Sequence, residues 1–385
     1  KFGIQKGDRV LLMLHRVPEW WILVLGIMKL GAVFCPSPHM MTVKDIAYRI
    51  NAGGFKMVIT DRDNMAKVDE VAAECPHLQL RMVVDDNPLE RLSSPWIGYQ
   101  HELKYPAPVS TKLVATAGRK VLATDPMLIY FTSGTTKDPK MVLHDYGHPL
   151  GQTVTAKFWH DLTDKDVHFT VSDTGWAKCG WGKIYGQWIC GACIFVYDYR
   201  TKFLATELLP LIEKYGITSF CAPPTIYRML IIADLKKFSF SELRTCTSAG
   251  EPLNPEVIRI WKEGTGITIR EGYGQTETCC CLATMPGMEV RQGSMGKPVP
   301  GWHIQLHDDE GNEVPQGEIG RIASSLNPRP AGLIREYLDN PEENAAMFVN
   351  GWYYTGDKAR MDEDGYFWFV GRNDDVIKSS GYRIS

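Results

Sequence analysis

The chain has 385 residues, room for two or three domains at roughly 150 residues each, and its 44% hydrophobic and 23% charged content excludes a disordered chain or a fibrous repeat. With 42 basic and 45 acidic side chains the net charge is −3, so no global field favours nucleic acid or an anionic membrane, and any polyanion must be held by local cations. The most apolar window, Trp20 to Met28, spans nine residues against the roughly 20 that cross a bilayer, so no membrane span is predicted. Val10 to Leu14 reads as a buried strand, and Pro18 opens a helix that Gly31 stops. Thr42 caps a helix from Val43 to about Ala52, ended by Gly53-Gly54, and Met57 to Thr60 is the next strand. Asp85 to Ser110, with four prolines, reads as a surface excursion. Strand and helix then alternate through Val167–Val171, Ile194–Tyr197, Leu208–Tyr215 and Ser219–Ala222.

After Gly301 the texture changes. Trp302 to His307 alternates, Glu310-Gly311 can turn, Gly320 to Ser324 reads as a strand, and Asn350-Gly351 and Asp364-Gly365 are hairpin signals between apolar runs. The predicted fold is α/β: two stacked subdomains with mostly parallel sheets over residues 1–300, a small antiparallel, β-barrel-like module over 301–373, and a short terminal segment over 374–385. The ten scattered cysteines, three of them contiguous at Cys279–Cys281, suit reduced thiols in a cytoplasmic compartment.

Residues 128–140 carry an apolar strand into Thr132-Ser133-Gly134-Thr135-Thr136-Lys137-Asp138-Pro139-Lys140. Hydroxyls, backbone N–H groups, a glycine and two lysines suit such a loop to phosphate. Pro139 and Met141 stand where a Walker A loop needs Gly and Ser or Thr, so it is not one. Gly272-Tyr273-Gly274 and Gly180-Trp181-Gly182 lack the last glycine of a dinucleotide fingerprint, with Glu277 and Tyr185 in its place. Cys190 and Cys193 form a lone CxxC without a second pair, which argues against zinc there; His144 and His148 are four apart, but no glutamate follows His144, so they form no HExxH and read as loop histidines, and Gly147-His148-Pro149 should also break a helix there.

Four further motifs follow the phosphate loop in order: Ser248-Ala249-Gly250-Glu251-Pro252, Gly272-Tyr273-Gly274-Gln275-Thr276-Glu277, Tyr354-Thr355-Gly356-Asp357, and Gly371-Arg372-Asn373-Asp374-Asp375-Val376-Ile377-Lys378. In this order and spacing the five motifs resemble the adenylate-forming superfamily of acyl-CoA synthetases, peptide-synthetase adenylation domains and luciferases. The stretches YFTSGT, Asp173-Thr174-Gly175-Trp176 and YGQTE look most like its short- and medium-chain acyl-CoA synthetases.

The resemblance implies an ATP-dependent acid–thiol ligase in which a carboxylate attacks the α-phosphorus of ATP and the thiol of coenzyme A then displaces AMP. By it, Thr132, Ser133, Gly134, Thr135, Thr136, Lys137 and Lys140 hold the β- and γ-phosphates, Thr276 meets the α-phosphate, and Glu277 is the Mg²⁺ carboxylate. Tyr273 and Gly274 lie against the adenine with Gly250, Glu251 and Pro252 as the opposite wall, Asp357 accepts the ribose hydroxyls, and Arg372 adds a ribose or phosphate contact. Asp374 is the implied hinge, and Lys378 and Gly381 lie beside the pantetheine arm. Trp176, Trp181 and Gly272 line the acyl pocket, whose bulky rings favour a short- or medium-chain, branched or aromatic acid.

Two departures stand out. Lys137 replaces the family's usual loop glycine, and the chain stops at Ser385, so the small C-terminal domain with its adenylation lysine is expected to be missing. Two other readings stay open: an adenylation domain that loads a carrier protein, and a nucleotide-binding module without catalysis. The expected partners are small molecules, with no nucleic acid, and the oligomeric state is open, a homodimer included.

Overall fold

In the computed structural model, which describes residues 2–106, 121–132, 138–200, 204–372, 377–379 and 382–384, the local signals of the first sixty residues act as their chemistry dictates. Helix Pro18–Leu30 starts on its proline and stops at Gly31, whose φ of 73° lets its N–H reach the carbonyls of Ile27 and Met28. Helix Val43–Gly53 opens with a reciprocal capping box: the Thr42 hydroxyl accepts from Asp45 N–H, and the Asp45 carboxylate accepts from Thr42 N–H.

Contacts divide the chain into two compact units, one of residues 1–131, 141–146 and 173–177, the other of 132–140, 147–172 and 178–385. In the first, strands β1 (Arg9–Met13), β2 (Val33–Pro36), β3 (Met57–Thr60), β4 (Leu80–Val83), β5 (Trp96–Gly98), β6 (Pro126–Thr132) and β7 (Lys140–Asp145) run in the order β7-β6-β2-β1-β3-β4-β5. β2 through β5 join in parallel, which buries nearly continuous apolar runs such as Val10–Leu14 and Val33–Cys35.

The stretch 85–110, expected to be an excursion, instead adds strand β5 and helix Tyr99–Lys104 to this unit. The cause is Asp86, 5% exposed, whose carboxylate accepts from the N–H groups of Gln100 (2.7 Å) and His101 (2.9 Å) and so caps the helix from outside its own sequence neighbourhood. The histidines expected in a loop are also placed differently. His144 is buried in β7, and His148 begins helix His148–Val154 with Pro149 in the first turn, where proline costs no hydrogen bond.

The second unit contains β8 (Val167–Thr170), β9 (Cys193–Ile194), β10 (Ser219–Cys221), β11 (Thr245–Ala249) and β12 (Ile269–Tyr273), joined in parallel as β9-β8-β10-β11-β12. Helices Ala205–Lys214, Pro224–Leu230 and Pro255–Thr265 contribute to a core that includes Phe169, Leu208, Phe220, Tyr227 and Trp261. The sheet continues past β12 through β13 (Leu282–Ala283), β14 (Ser294–Pro298), β15 (Ile304–His307) and β16 (Ile319–Ser325); β17 (Glu336–Tyr337) and β18 (Phe348–Val349) follow in sequence, then β19 (Trp352–Met361) and β20 (Phe367–Arg372). The antiparallel order is β12-β13-β14-β20-β19-β16-β15, so the strand-rich stretch grows directly from the parallel one. Asn350 (φ 50°) and Gly351 (φ 82°) make the two-residue turn from β18 to β19, as their pairing predicted. The chain thus adopts the α/β class with parallel sheets that its sequence predicts, and residues 377–379 and 382–384 pair antiparallel as strands β21 and β22.

Candidate active site

Parallel pairing of β11 with β12 sets Ala249 opposite Gly272, which brings the turn Gly250-Glu251-Pro252 beside Tyr273. Gly250 takes a φ of 111°, a value side-chain-bearing residues rarely adopt. The turn is anchored by Glu271, whose buried carboxylate accepts from Leu253 N–H (2.9 Å) and Gly293 N–H (3.1 Å); burial pushes its pKa up to about 7. Lys178 Nζ donates to the Ala249 carbonyl at 2.9 Å, and burial pulls this lysine below its ordinary value. Arg228 lies 3.7 Å from Glu251.

Beyond Tyr273 the chain enters the Gln275-Thr276-Glu277 turn. Asp357, fully buried on β19, accepts through Oδ2 from the Tyr273 hydroxyl (2.5 Å) and the Gln275 amide (2.7 Å), while Arg372 Nη1 lies 3.4 Å from its Oδ1. Burial first, and the Asp357 charge second, hold the Tyr273 hydroxyl far above the ordinary tyrosine value, so it is a proton donor at every working pH. Gln275 also bonds the Thr355 carbonyl (2.8 Å). Tyr353 completes this side with a contact to Gln275 Oε1 (3.4 Å).

Glu277 is 5% exposed, and its Oε1 accepts from the Tyr337 hydroxyl (3.1 Å). Its Oε2 is buried and makes no hydrogen bond among the described residues. Lys140 Nζ lies over the Tyr337 ring, 5.7 Å from its centre, and pairs with Glu343. Tyr337 thus carries a cation over its ring and a carboxylate on its hydroxyl, while a second group links Gln275, Asp357, Tyr273 and Arg372.

Of the residues singled out from sequence, Thr132 is buried at the end of β6, Thr276 is half-buried in the turn, and Lys378 lies on β21. Ser133, Gly134, Thr135, Thr136, Lys137, Asp374 and Gly381 lie outside the described residues. Trp181 packs edge-on against Trp159 at 6.2 Å, and both rings abut glycines: a Cβ on Gly274 would stand 2.6 Å from Trp181, and one on Gly272 would stand 2.6 Å from Trp159. Trp176 belongs to the other unit and is 42% exposed. Sequence reasoning missed Lys178, Glu271, Tyr337, Tyr353 and Glu343, none of which sits in a recognisable motif. Gln275 was legible inside its motif but had no expected role.

The chain is 44% identical over 384 residues to the acyl-coenzyme A synthetase ACSM3, mitochondrial, of Rattus norvegicus, covering 99% of this chain and 64% of that protein. It therefore spans somewhat less than two thirds of the length of the curated relatives it matches. Among solved structures, the anthranilate CoA ligase AuaEII in complex with anthranoyl-AMP matches with a TM-score of 0.86 at 28% identity, over 100% of this chain and 71% of that one. The Brucella canis acyl-CoA synthetase matches with a TM-score of 0.81 at 30% identity, over 99% and 68%. These findings overturn the expected cytoplasmic location, since the ACSM3, ACSM4 and ACSM5 relatives are all named as mitochondrial. Ten cysteines without a disulfide carry no cellular address. Matched by the family's pattern over residues 1–338, the chain belongs to the AMP-binding enzymes.

Proposed function

We propose that this protein is an AMP-forming acid–thiol ligase that joins a carboxylic acid to coenzyme A through an acyl-adenylate. The observation that carries this reading is Glu277: a buried carboxylate oxygen without a hydrogen bond among the described residues, in the motif where the resemblance places the metal carboxylate. A buried anionic oxygen is costly unless a cation or donor meets it. One carboxylate suits Mg²⁺, which keeps most of its waters and takes further oxygens from phosphates. Bound there, Mg²⁺ would neutralise charge on the triphosphate.

The chain's own residues supply the rest. Asp357 as a carboxylate is acceptor-only, and with Tyr273 and Gln275 holding Oδ2 in place its remaining lone pairs would accept the ribose hydroxyls. Arg372 beside Asp357 and Lys140 on the Tyr337 ring are cations held in place before nucleotide arrives. Triphosphate would draw Lys140 from Glu343, exchanging one anion for another. Thr132 to Lys140 would close over the β- and γ-phosphates, and Thr276 would meet the α-phosphate. Gly250 to Pro252 would form the adenine wall, steadied by Glu271 and Lys178.

For the acid we propose a short- or medium-chain, branched or aromatic one. Trp181 and Trp159 close on Gly274 and Gly272 without space for a methyl group, which supports a shallow pocket. AuaEII, an anthranilate ligase, is consistent with an aromatic acid. The corresponding location is mitochondrial.

Equilibrium binding of Mg·ATP and of a non-hydrolysable acyl-adenylate to this chain, beside an assay that reads AMP and thioester from ATP, acid and coenzyme A, tests the reading. Adenylate binding that weakens in Glu277→Gln and Asp357→Asn is expected. Binding that is absent, or indifferent to both substitutions, would overturn it.

A further inference from the structure

A polar cluster in the first unit lies outside the residues assigned above to nucleotide. β2, β1 and β3 are adjacent and parallel, with Leu12 opposite Pro36 and Met13 opposite Thr60, so their carboxyl ends open on one edge. Open α/β sheets receive ligands at that edge. Just beyond each strand end stands one side chain able to ligate a metal: His15 after β1, His39 after β2 and Asp61 directly after β3. Asp61 Oδ2 lies 2.7 Å from His39 Nε2 and 3.9 Å from His15 Nε2, and the ligand atoms of all three fall within 4.8 Å of one another. The two imidazole rings face each other with centres 3.6 Å apart.

Asp61 is the informative member. It occupies the cap position of helix Arg62–Val71, where an aspartate ordinarily accepts an N–H of the first turn, yet its side chain makes no cap bond. It is 6% exposed, and among the described residues both carboxylate oxygens are buried without a hydrogen bond. His39 Nε2, although only 2.7 Å away, makes none either: the pair has the distance of a bond without its alignment. Arg16, the cation next to His15 in the chain, donates to Asp173 at 2.6 Å. Asn64, 1% exposed and one turn along from Asp61, donates through Nδ2 to the His39 carbonyl (3.1 Å) and steadies that loop.

The structure assigns to His15, His39 and Asp61 a site for a divalent transition metal of the zinc class. Two imidazole nitrogens and one carboxylate oxygen form a set that suits Zn²⁺ with a water in the fourth position, whereas Mg²⁺ and Ca²⁺ prefer oxygen donors. The ion would supply the positive charge that the buried Asp61 carboxylate lacks. Asn64 acts on the ion through the His39 loop, so it is a positioning residue. The site lies apart in sequence from every residue assigned to nucleotide, and its test does not depend on that reading.

After dialysis against a chelator, the 385-residue chain is titrated with Co²⁺ and then with Zn²⁺, and bound metal is counted by mass spectrometry. The expected result is one equivalent of Co²⁺, with visible ligand-field bands and without the intense near-ultraviolet charge-transfer band of thiolate ligation, displaced by Zn²⁺. His39→Gln and Asp61→Asn should weaken binding by about 100-fold or more, and Asn64→Ala by about 10-fold. A thiolate band would assign the metal to one of the ten free cysteines and overturn the proposal, as would undiminished binding in both ligand variants. Should those variants fail to fold, the wild-type Co²⁺ spectrum decides alone.

Discussion

Asp166 and Glu277 are both buried carboxylates of the second unit, one beside the parallel strands and one beyond β12, and their surroundings differ in kind. Asp166 is saturated: Arg244 donates to both oxygens (2.9 and 2.6 Å), and Thr218 and Thr163 add further bonds. Burial pushes its pKa up, but Arg244 and the threonines outweigh that and hold it at about 2. Among the described residues the Glu277 carboxylate has one bond, from Tyr337, and one oxygen without a partner. A saturated buried charge ties elements together; an unsaturated one stores an interaction for something not yet bound. Asp61 belongs with Glu277 by this criterion, which is why each of the two units carries one carboxylate that reads as a cation ligand.

The comparison can be broken by substitution. Arg244→Ala should have the largest effect, about 3 kcal/mol of unfolding free energy in urea, because Asp166 then loses the guanidinium that binds both its oxygens; the partial exposure of Arg244 keeps the loss at the low end for a broken buried pair. Nucleotide binding should survive. Because the folded pKa of Asp166 lies below the ordinary 3.8, its stabilising contribution is present above that pH and is lost as pH falls towards 2, and the variant should lose this part of the acid profile.

Glu277→Gln should do the reverse, with Mg²⁺-dependent ATP binding weakened on the order of 100-fold and the urea midpoint preserved. A midpoint that falls as far as in Arg244→Ala would erase the distinction between the two carboxylates. Asp357→Asn stands between them: about 2 kcal/mol of stability, from charge-assisted bonds to Tyr273 and Gln275, together with weaker nucleotide binding.

Glu271→Gln sharpens the comparison with the smallest effect. The folded pKa of about 7 lies above the ordinary 4.5, so the contribution of Glu271 is fully present below pH 4.5 and is lost as pH rises through 7. Thermal midpoints measured across that window should decline in the wild type relative to the variant. Parallel curves would show that Glu271 titrates normally.

Much of the architecture could be read directly from residues. Thr42 with Asp45, Pro18 with Gly31, and Asn350 with Gly351 each encode an element end within a few positions, because caps and tight turns are governed by local sterics and short hydrogen bonds. Strand β5 and helix Tyr99–Lys104 were not legible, since their stability rests on Asp86, 13 residues before the helix begins. Motif order likewise marked Tyr273, Glu277 and Asp357 as a group, but the links among them were hidden.

Those links belong to the fold. Tyr337 reaches Glu277 across 60 positions and Tyr273 reaches Asp357 across 84, while Lys178 meets Ala249 across 71. Residue order therefore carried the chemistry available, namely which side chains can cap, turn, ligate or carry charge. Which of those charges ended up satisfied, and which stayed buried with an empty lone pair, depended on long-range packing, because desolvation and pairing are properties of the assembled surroundings and no local pattern encodes them.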